Sequence, residues 1–182
     1  MTPTVAEDVL RFWFAELAPA QWWRVDPVLD ETIRTRYGAL HAQAAAAECF
    51  AWRATPRGRL AEVIVLDQFS RNLFRGTARA FACDPLALGL AQEAVSAGAD
   101  QLLAPALRAF LYMPYMHSES RQIHVLAEQL FSSAGLEDNF RAELQHKAIV
   151  DRFGRYPHRN RALGRESTDE ERAFLQQPGS SF

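Results

Sequence analysis

The stretch LAEVIVLDQFSRNLFR, positions 60–75, constrains the fold more than any other. Read as a helix at about 100° per residue, it puts Leu60, Val63, Ile64, Asp67, Arg71 and Phe74 on one face. Leu66, Phe69 and Leu73 take the opposite face. A helix that is apolar nearly all round has to be enclosed by other elements. It predicts a fold built around one central rod. Yet Asp67 and Arg71 interrupt an apolar face, Arg75 continues their row, and Gln68 and Asn72 form a second polar row four residues apart. Breaking a buried ion pair costs about 3–5 kcal/mol, so these groups need partners. Two readings stay open. Asp67 pairs with Arg71 inside the helix while the amides tie down loops; or Arg71 and Arg75 line the floor of a pocket and offer guanidinium forks to a carboxylate or phosphate. The arginine itself says little, because 19 of the 20 basic residues are Arg.

The rest of the chain also reads as helix. Period-2 alternation does not persist, and Asn-Gly and Asp-Gly hairpin turns are absent. Thr4 with Glu7 fits a capping box. Asp26-Pro27, Thr55-Pro56 and Asp84-Pro85 each place a capping residue before a first-turn proline. The helices they open run over about 27–47, 56–74 and 85–97, the third stopped by Gly98. A short helix at about 105–113 is predicted to break at Met113-Pro114. Ser118 caps the next, ending near Gly135, and another spans about 137–153 up to Gly154. Ser167 and Thr168, with Glu170 and Glu171, cap a last short helix before a PGSSF tail. The even spacing of Pro27, Pro56 and Pro85 fits stacked antiparallel helices. No linker or low-complexity stretch divides the 182 residues, so a single all-helical domain is expected.

The net charge of −2 excludes the broad basic field of a general nucleic-acid binder. It hides an asymmetry: Lys147 and five arginines against Asp151 give positions 147–165 a charge of +5, leaving −7 elsewhere. No apolar run has membrane-spanning length, and acids precede the first apolar residues where a signal peptide would be basic. Cys49 and Cys83 lie in no metal-like spacing, read as small apolar helix residues and fit a reducing compartment. A cytoplasmic protein is expected.

Two further segments carry chemistry-bearing residues. In YMPYMHSES, His117 precedes a helix start and can point inward, and Glu119 suits the helix dipole. Arg121, His124 and Glu128 share a face that reads as solvated. In the second segment, His146 lies on an apolar face with Ile149, Val150 and Phe153, as a core histidine held by one hydrogen bond. Beyond Gly154, Phe153, Tyr156 and Leu163 anchor a loop that fixes Arg155, His158, Arg159 and Asn160, with Asp67 and Glu119 as acidic partners.

Taken together, VLRFWF (9–14), QWW (21–23), LDQFSRN with LFR (66–75), AFACDPLAL (80–88), YMPYMHSE (112–119) and RFGRYPHRNRALGREST (152–168) resemble the bacterial domain-of-unknown-function family 924. The resemblance covers nearly the whole chain in order and is weakest around 120–140. It implies helical hairpins stacked into a right-handed, tetratricopeptide-like array, and no settled activity. It also implies that Asp67, Gln68, Arg71, Asn72, His117, Glu119, Arg155, Pro157, His158, Arg159 and Asn160 belong to the family pattern, without assigning them roles.

These residues support three functional expectations. The first is a binding module whose concave face takes a small anion or a peptide carboxylate, clamped by Arg71, Arg75, Arg155 and Arg159. Trp13, Trp22, Trp23 and Phe74 would wall its groove, although Trp13 and Phe74 also suit the core. The second is an enzyme with His117 or His158 as base, oriented by Glu119 or Asp67. No GxSxG, P-loop, dinucleotide or HExxH motif and no ExxH pair supports a named chemistry, and no metal or other cofactor is expected. The third makes the whole constellation a structural lock between the last helices and the first.

Overall fold

A computed structural model describes residues 4–181, and all of its regular structure is helical, with no strand among the described residues. The helices are α1 (Val5–Arg11), α2 (Pro27–Ala45), α3 (Pro56–Ile64), α4 (Ser70–Leu73), α5 (Asp84–Ser96), α6 (Pro105–Met116), α7 (Arg121–Phe131), α8 (Glu137–Phe153), α9 (Asn160–Leu163) and α10 (Asp169–Phe174). Their starts obey local chemistry. Asp26 accepts from the Val28 and Leu29 amides, and Thr55 from Gly58. Thr168 and Glu171 cap each other reciprocally. Thr4 accepts from Glu7, but the Glu7 carboxylate grips Arg57 rather than closing a capping box. Gly154 ends α8 at φ +70°.

The predicted rod exists, but it is not a uniform helix. A π-turn, Val65–Phe69, joins α3 to α4. Residues Leu60 to Leu66 are all 0–1% exposed, including Glu62, which Arg53 holds through two bonds of 2.7–2.8 Å. α3 packs against α1, α5 and α6, and the π-turn against α2. Beyond this centre α6 lies on α7 and α7 on α8. Trp13 meets Phe69 tilted and Phe110 edge-on, each within 6 Å, and Tyr112 packs on Phe131.

Four local expectations give way. α6 runs through Pro114, because every residue from Ala109 to Met116 is buried and packing outweighs one missing amide. Ser120, not Ser118, precedes α7, which ends at Phe131. Cys49 and Cys83 sit in turns next to helices. Asp84 opens α5 but makes no capping bond; its carboxylate is engaged elsewhere. Phe182, the last residue of the expected tail, lies outside the described residues. No helix among the described residues is long and apolar enough to cross a membrane.

Candidate functional site

The π-turn sets the centre of the site. Extra residues in a turn release carbonyls from the ordinary ladder. Here the Leu66 carbonyl accepts from Ser70 Oγ at 2.6 Å, and the Asp67 carbonyl from Arg71 Nη1 at 2.7 Å. The Asp67 side chain is 1% exposed and has three partners. His117 Nδ1 lies 2.7 Å from Oδ1, Arg71 Nη1 3.3 Å from the same atom, and Gln68 Nε2 donates to Oδ2 at 2.6 Å. Burial opposes charge on Asp67, but Arg71 and then His117 outweigh it and hold its carboxyl below the usual range. Arg71 continues to Asp84 through a two-pronged contact of 3.0 and 3.1 Å. Burial opposes its charge too, and Asp67 and Asp84 together more than restore it.

His117 caps the C-terminus of α6 and turns inward, as expected. Burial pushes its pKa down, and Arg71 adds to that against the pull of Asp67, so the ring is neutral at pH 7. A carboxylate only accepts, so the proton of the neutral ring belongs on Nδ1 and Nε2 is left as an acceptor. The ring keeps 16% of its surface exposed.

Arg159 closes the site from the turn Pro157–Arg159. Its guanidinium lies between the Phe81 and Tyr156 rings, 4.6 Å from each centroid. It is 6% exposed. The one hydrogen bond of its guanidinium within the described residues is Nη1 to Asp84, at 3.3 Å, and its buried Nε has no acceptor there. Burial and then the charge of Arg71 lower its pKa. Arginine does not deprotonate in such a setting, so that direction marks a cation short of negative charge. His158 packs tilted on Tyr156 at 5.5 Å, and burial pushes it down to about 4.

The remaining expected residues do not join this group. Arg75 leaves the row it shares with Arg71 and grips Asp30 with two 2.8 Å bonds, and Asn72 donates to the same carboxylate. Arg155 binds Glu171 at 2.7 and 2.8 Å. Glu119 accepts from Arg165 at 2.6 and 2.8 Å and from the Tyr156 amide at 2.7 Å. Asn160 bridges Ser167, Glu171 and Arg165. For Arg75, Arg155 and Arg165 the chain's own carboxylates are the partners. The aromatic wall also divides. Trp13 is core and Trp22 donates to its carbonyl. Trp23, 60% exposed, stacks on Phe110, while Phe74 packs on His41 under Arg79. Two surface depressions, one along α2 and one between α7 and α8, are lined by none of the expected residues.

Two groups escaped the sequence reading. Asp84 looks like a helix cap; the only pointer to another role is its place in the AFACDPLAL motif. His124 looks solvated but is 0% exposed. It lies 2.6 Å from Glu143 and 2.8 Å from the Ser118 carbonyl, and Tyr156 Oη lies 3.1 Å from its Nε2 while donating to the Met116 carbonyl at 2.5 Å. Burial pushes Glu143 up. His146 is the core histidine expected, bonded to the Ala142 carbonyl at 2.8 Å. Among the described residues no three His, Cys, Asp or Glu side chains are grouped to hold a metal ion.

An all-helical scaffold with a polar centre of this make-up defines a class before it defines an activity. The pattern of DUF924, bacterial proteins of unknown function, matches residues 9–179, and the chain belongs to that family. It is similar to a solved structure, the protein of unknown function ATU0120 from Agrobacterium tumefaciens, with 39% identity, a TM-score of 0.89, and coverage of 94% of this chain and 96% of that one. A search of curated proteins finds no match.

Proposed function

We propose that this protein is a binding module for a small anion, with Arg159 as the contact residue and Arg71, Asp84, Asp67 and His117 as its setting. One observation carries the reading. Arg71, Arg75, Arg155 and Arg165 each meet a carboxylate through two nitrogens or two oxygens. Arg159, the most buried of the five, has one long bond to a carboxylate already shared with Arg71. A buried charge with so few partners is costly, and a carboxylate or phosphate on its remaining donors relieves that cost. In this reading the helices form the tetratricopeptide-like array that the sequence suggests. The setting is a reducing, cytoplasmic one, consistent with the unpaired Cys49 and Cys83. The ligand is a free anion or the carboxylate of a peptide.

Thermal unfolding in a panel of acetate, propionate, sulfate and phosphate tests this. A bound anion at about a hundred times its dissociation constant adds roughly 2.7 kcal/mol of stability. Arg159→Met should keep the fold and lose that gain. No gain with any anion, or a gain that survives Arg159→Met, removes the reading. A second reading, acid-base catalysis by His117, draws on its contact with Asp67. It requires a turnover that His117→Ala abolishes and His158→Ala leaves in place.

A further inference from the structure

Four of the five histidines gather at one junction. Fully buried Tyr156 packs against His124 of α7, His146 of α8 and His158, with ring centroids 6.2, 5.8 and 5.5 Å away. His117 follows Met116, whose carbonyl takes the Tyr156 hydroxyl, and lies within the field of His146 and His158. Here residues 155–181 meet the helical body, and their apolar grip on it is small. Tyr156 and Phe174 join Ile149, Val150 and Phe153 in a minor cluster separate from the main core. Further ties across the junction are polar: Glu119 with Arg165 and the Tyr156 amide, Asp84 with Arg159, and Arg152 with Glu170.

Added positive charge has no partner at this junction. The carboxylates facing it are committed, Glu119 to Arg165, Asp67 and Asp84 to Arg71, and Glu143 to His124. Glu128 of α7 and Lys147 of α8 oppose each other beside Glu143. Arg71 and Arg159 already place two cations next to His158. His124 Nε2 faces the Ser118 carbonyl at 2.8 Å, which only accepts, so that nitrogen carries a proton. One further proton then lies between Nδ1 and Glu143 Oε1, 2.6 Å apart, and Oε2 is buried with no hydrogen bond among the described residues. A second proton on this pair makes a neutral acid beside an imidazolium, a net buried cation whichever partner held the first. Burial holds His146 at about 3 and His158 at about 4 and pushes His117 down, against about 6.5 for each in water. Docking of the segment is therefore at full strength above about pH 6.5 and weakens as pH falls towards about 4.

We propose that this junction is an acid-sensitive latch: on mild acidification, protons taken up by His117, His146, His158 and the His124–Glu143 pair release residues 155–181 from a helical body that stays folded. Departure of Tyr156 opens the rings to water, where they carry charge freely. Each such histidine raises the ratio of open to closed molecules by up to about tenfold per pH unit. The latch does not depend on the anion site. Hydrogen exchange of the whole protein at about pH 7.5, 6.5 and 5, corrected for the intrinsic effect of pH, tests it. By about pH 5 the Tyr156, Arg159 and Arg165 amides should lose protection roughly a hundredfold or more and exchange almost freely, while Val63 and Ile64 in α3 stay protected about a thousandfold. His146→Phe keeps a ring against Tyr156 but cannot titrate, and should shrink the loss by roughly tenfold. If that variant does not fold, the histidine ring resonances of the wild type replace it, and should report proton uptake over the interval in which the junction amides lose protection. Junction amides still protected at about pH 5, loss of protection in α3 together with the junction, an undiminished loss in His146→Phe, or rings that protonate while the junction stays closed overturns the latch.

Discussion

At the scale of single residues, the arginines divide by how well they are matched. A guanidinium with a two-pronged carboxylate is satisfied; one with a single 3.3 Å bond, as in Arg159, is not. Arg159→Met puts an apolar chain of similar length between Phe81 and Tyr156, so chemical denaturation should show a loss of at most about 1.5 kcal/mol. A loss of about 3–5 kcal/mol would instead make Arg159 a structural cation. Asp67→Asn is the opposite case. It leaves Arg71 and His117 without the charge that orients both, and the same measurement should give a loss of about 3–5 kcal/mol. An unchanged midpoint would mean that Asp84 alone suffices for Arg71.

At the scale of elements, the C-terminal segment is fastened by paired side chains rather than by one apolar face. Tyr156 is fully buried; its amide donates to Glu119 and its hydroxyl to the Met116 carbonyl, so one residue ties the loop after α8 to the end of α6. Tyr156→Phe keeps the ring and removes only the hydroxyl bonds, and should cost about 1–3 kcal/mol because the buried Met116 carbonyl loses its partner. Gly58 is constrained differently. A Cβ there would lie 2.1 Å from the Trp52 carbonyl oxygen, so α3 approaches the preceding turn more closely than any side chain permits. Gly58→Ala should destabilise by more than about 2 kcal/mol, on the order of a core overpacking change, and a neutral result would show that the turn yields. Much of this scale was legible. Capping residues and prolines marked most helix starts, and Gly154 marked a stop. The π-turn left no such mark, since its residues are as apolar and helix-forming as their neighbours. Arg75 lies beyond the end of α4 at Leu73, where Phe74 has left helical geometry, so it departs from Arg71's row and meets Asp30. Partner choice is a tertiary fact. A polar row such as His124 with Glu128 looks the same in sequence whether water or Glu143 faces it.

At the scale of the whole molecule, most histidines are held neutral. Burial lowers His146 to about 3 and His158 to about 4, and pushes His117 and His41 down as well. In the unfolded chain each titrates near about 6.5. Between the folded and unfolded values the unfolded state therefore binds more protons, so stability is complete above about pH 6.5 and falls as pH drops towards about 4. Each such histidine contributes a slope of up to about 1.4 kcal/mol per pH unit in that window. Below about pH 4.5 the carboxylates take over. Glu119 is held below its usual value against burial by Arg165, and Glu171 at about 2 by Arg155, so their stabilisation is lost as pH falls further. Urea unfolding at about pH 8, 6 and 5 should show equal or greater stability at the highest pH and a steep loss below the middle one; a flat profile would mean that the histidines take up protons as readily in the fold as in the unfolded chain.

The claim on which the functional account depends is that Arg159 is the one guanidinium of this constellation left for a ligand. A crystal structure of the wild type soaked in saturating propionate tests it most directly. The account predicts a carboxylate within hydrogen-bond distance of Arg159, with the Arg75–Asp30, Arg155–Glu171 and Arg165–Glu119 pairs unchanged. Acid density seen only at those pairs, or nowhere on the protein, would contradict it.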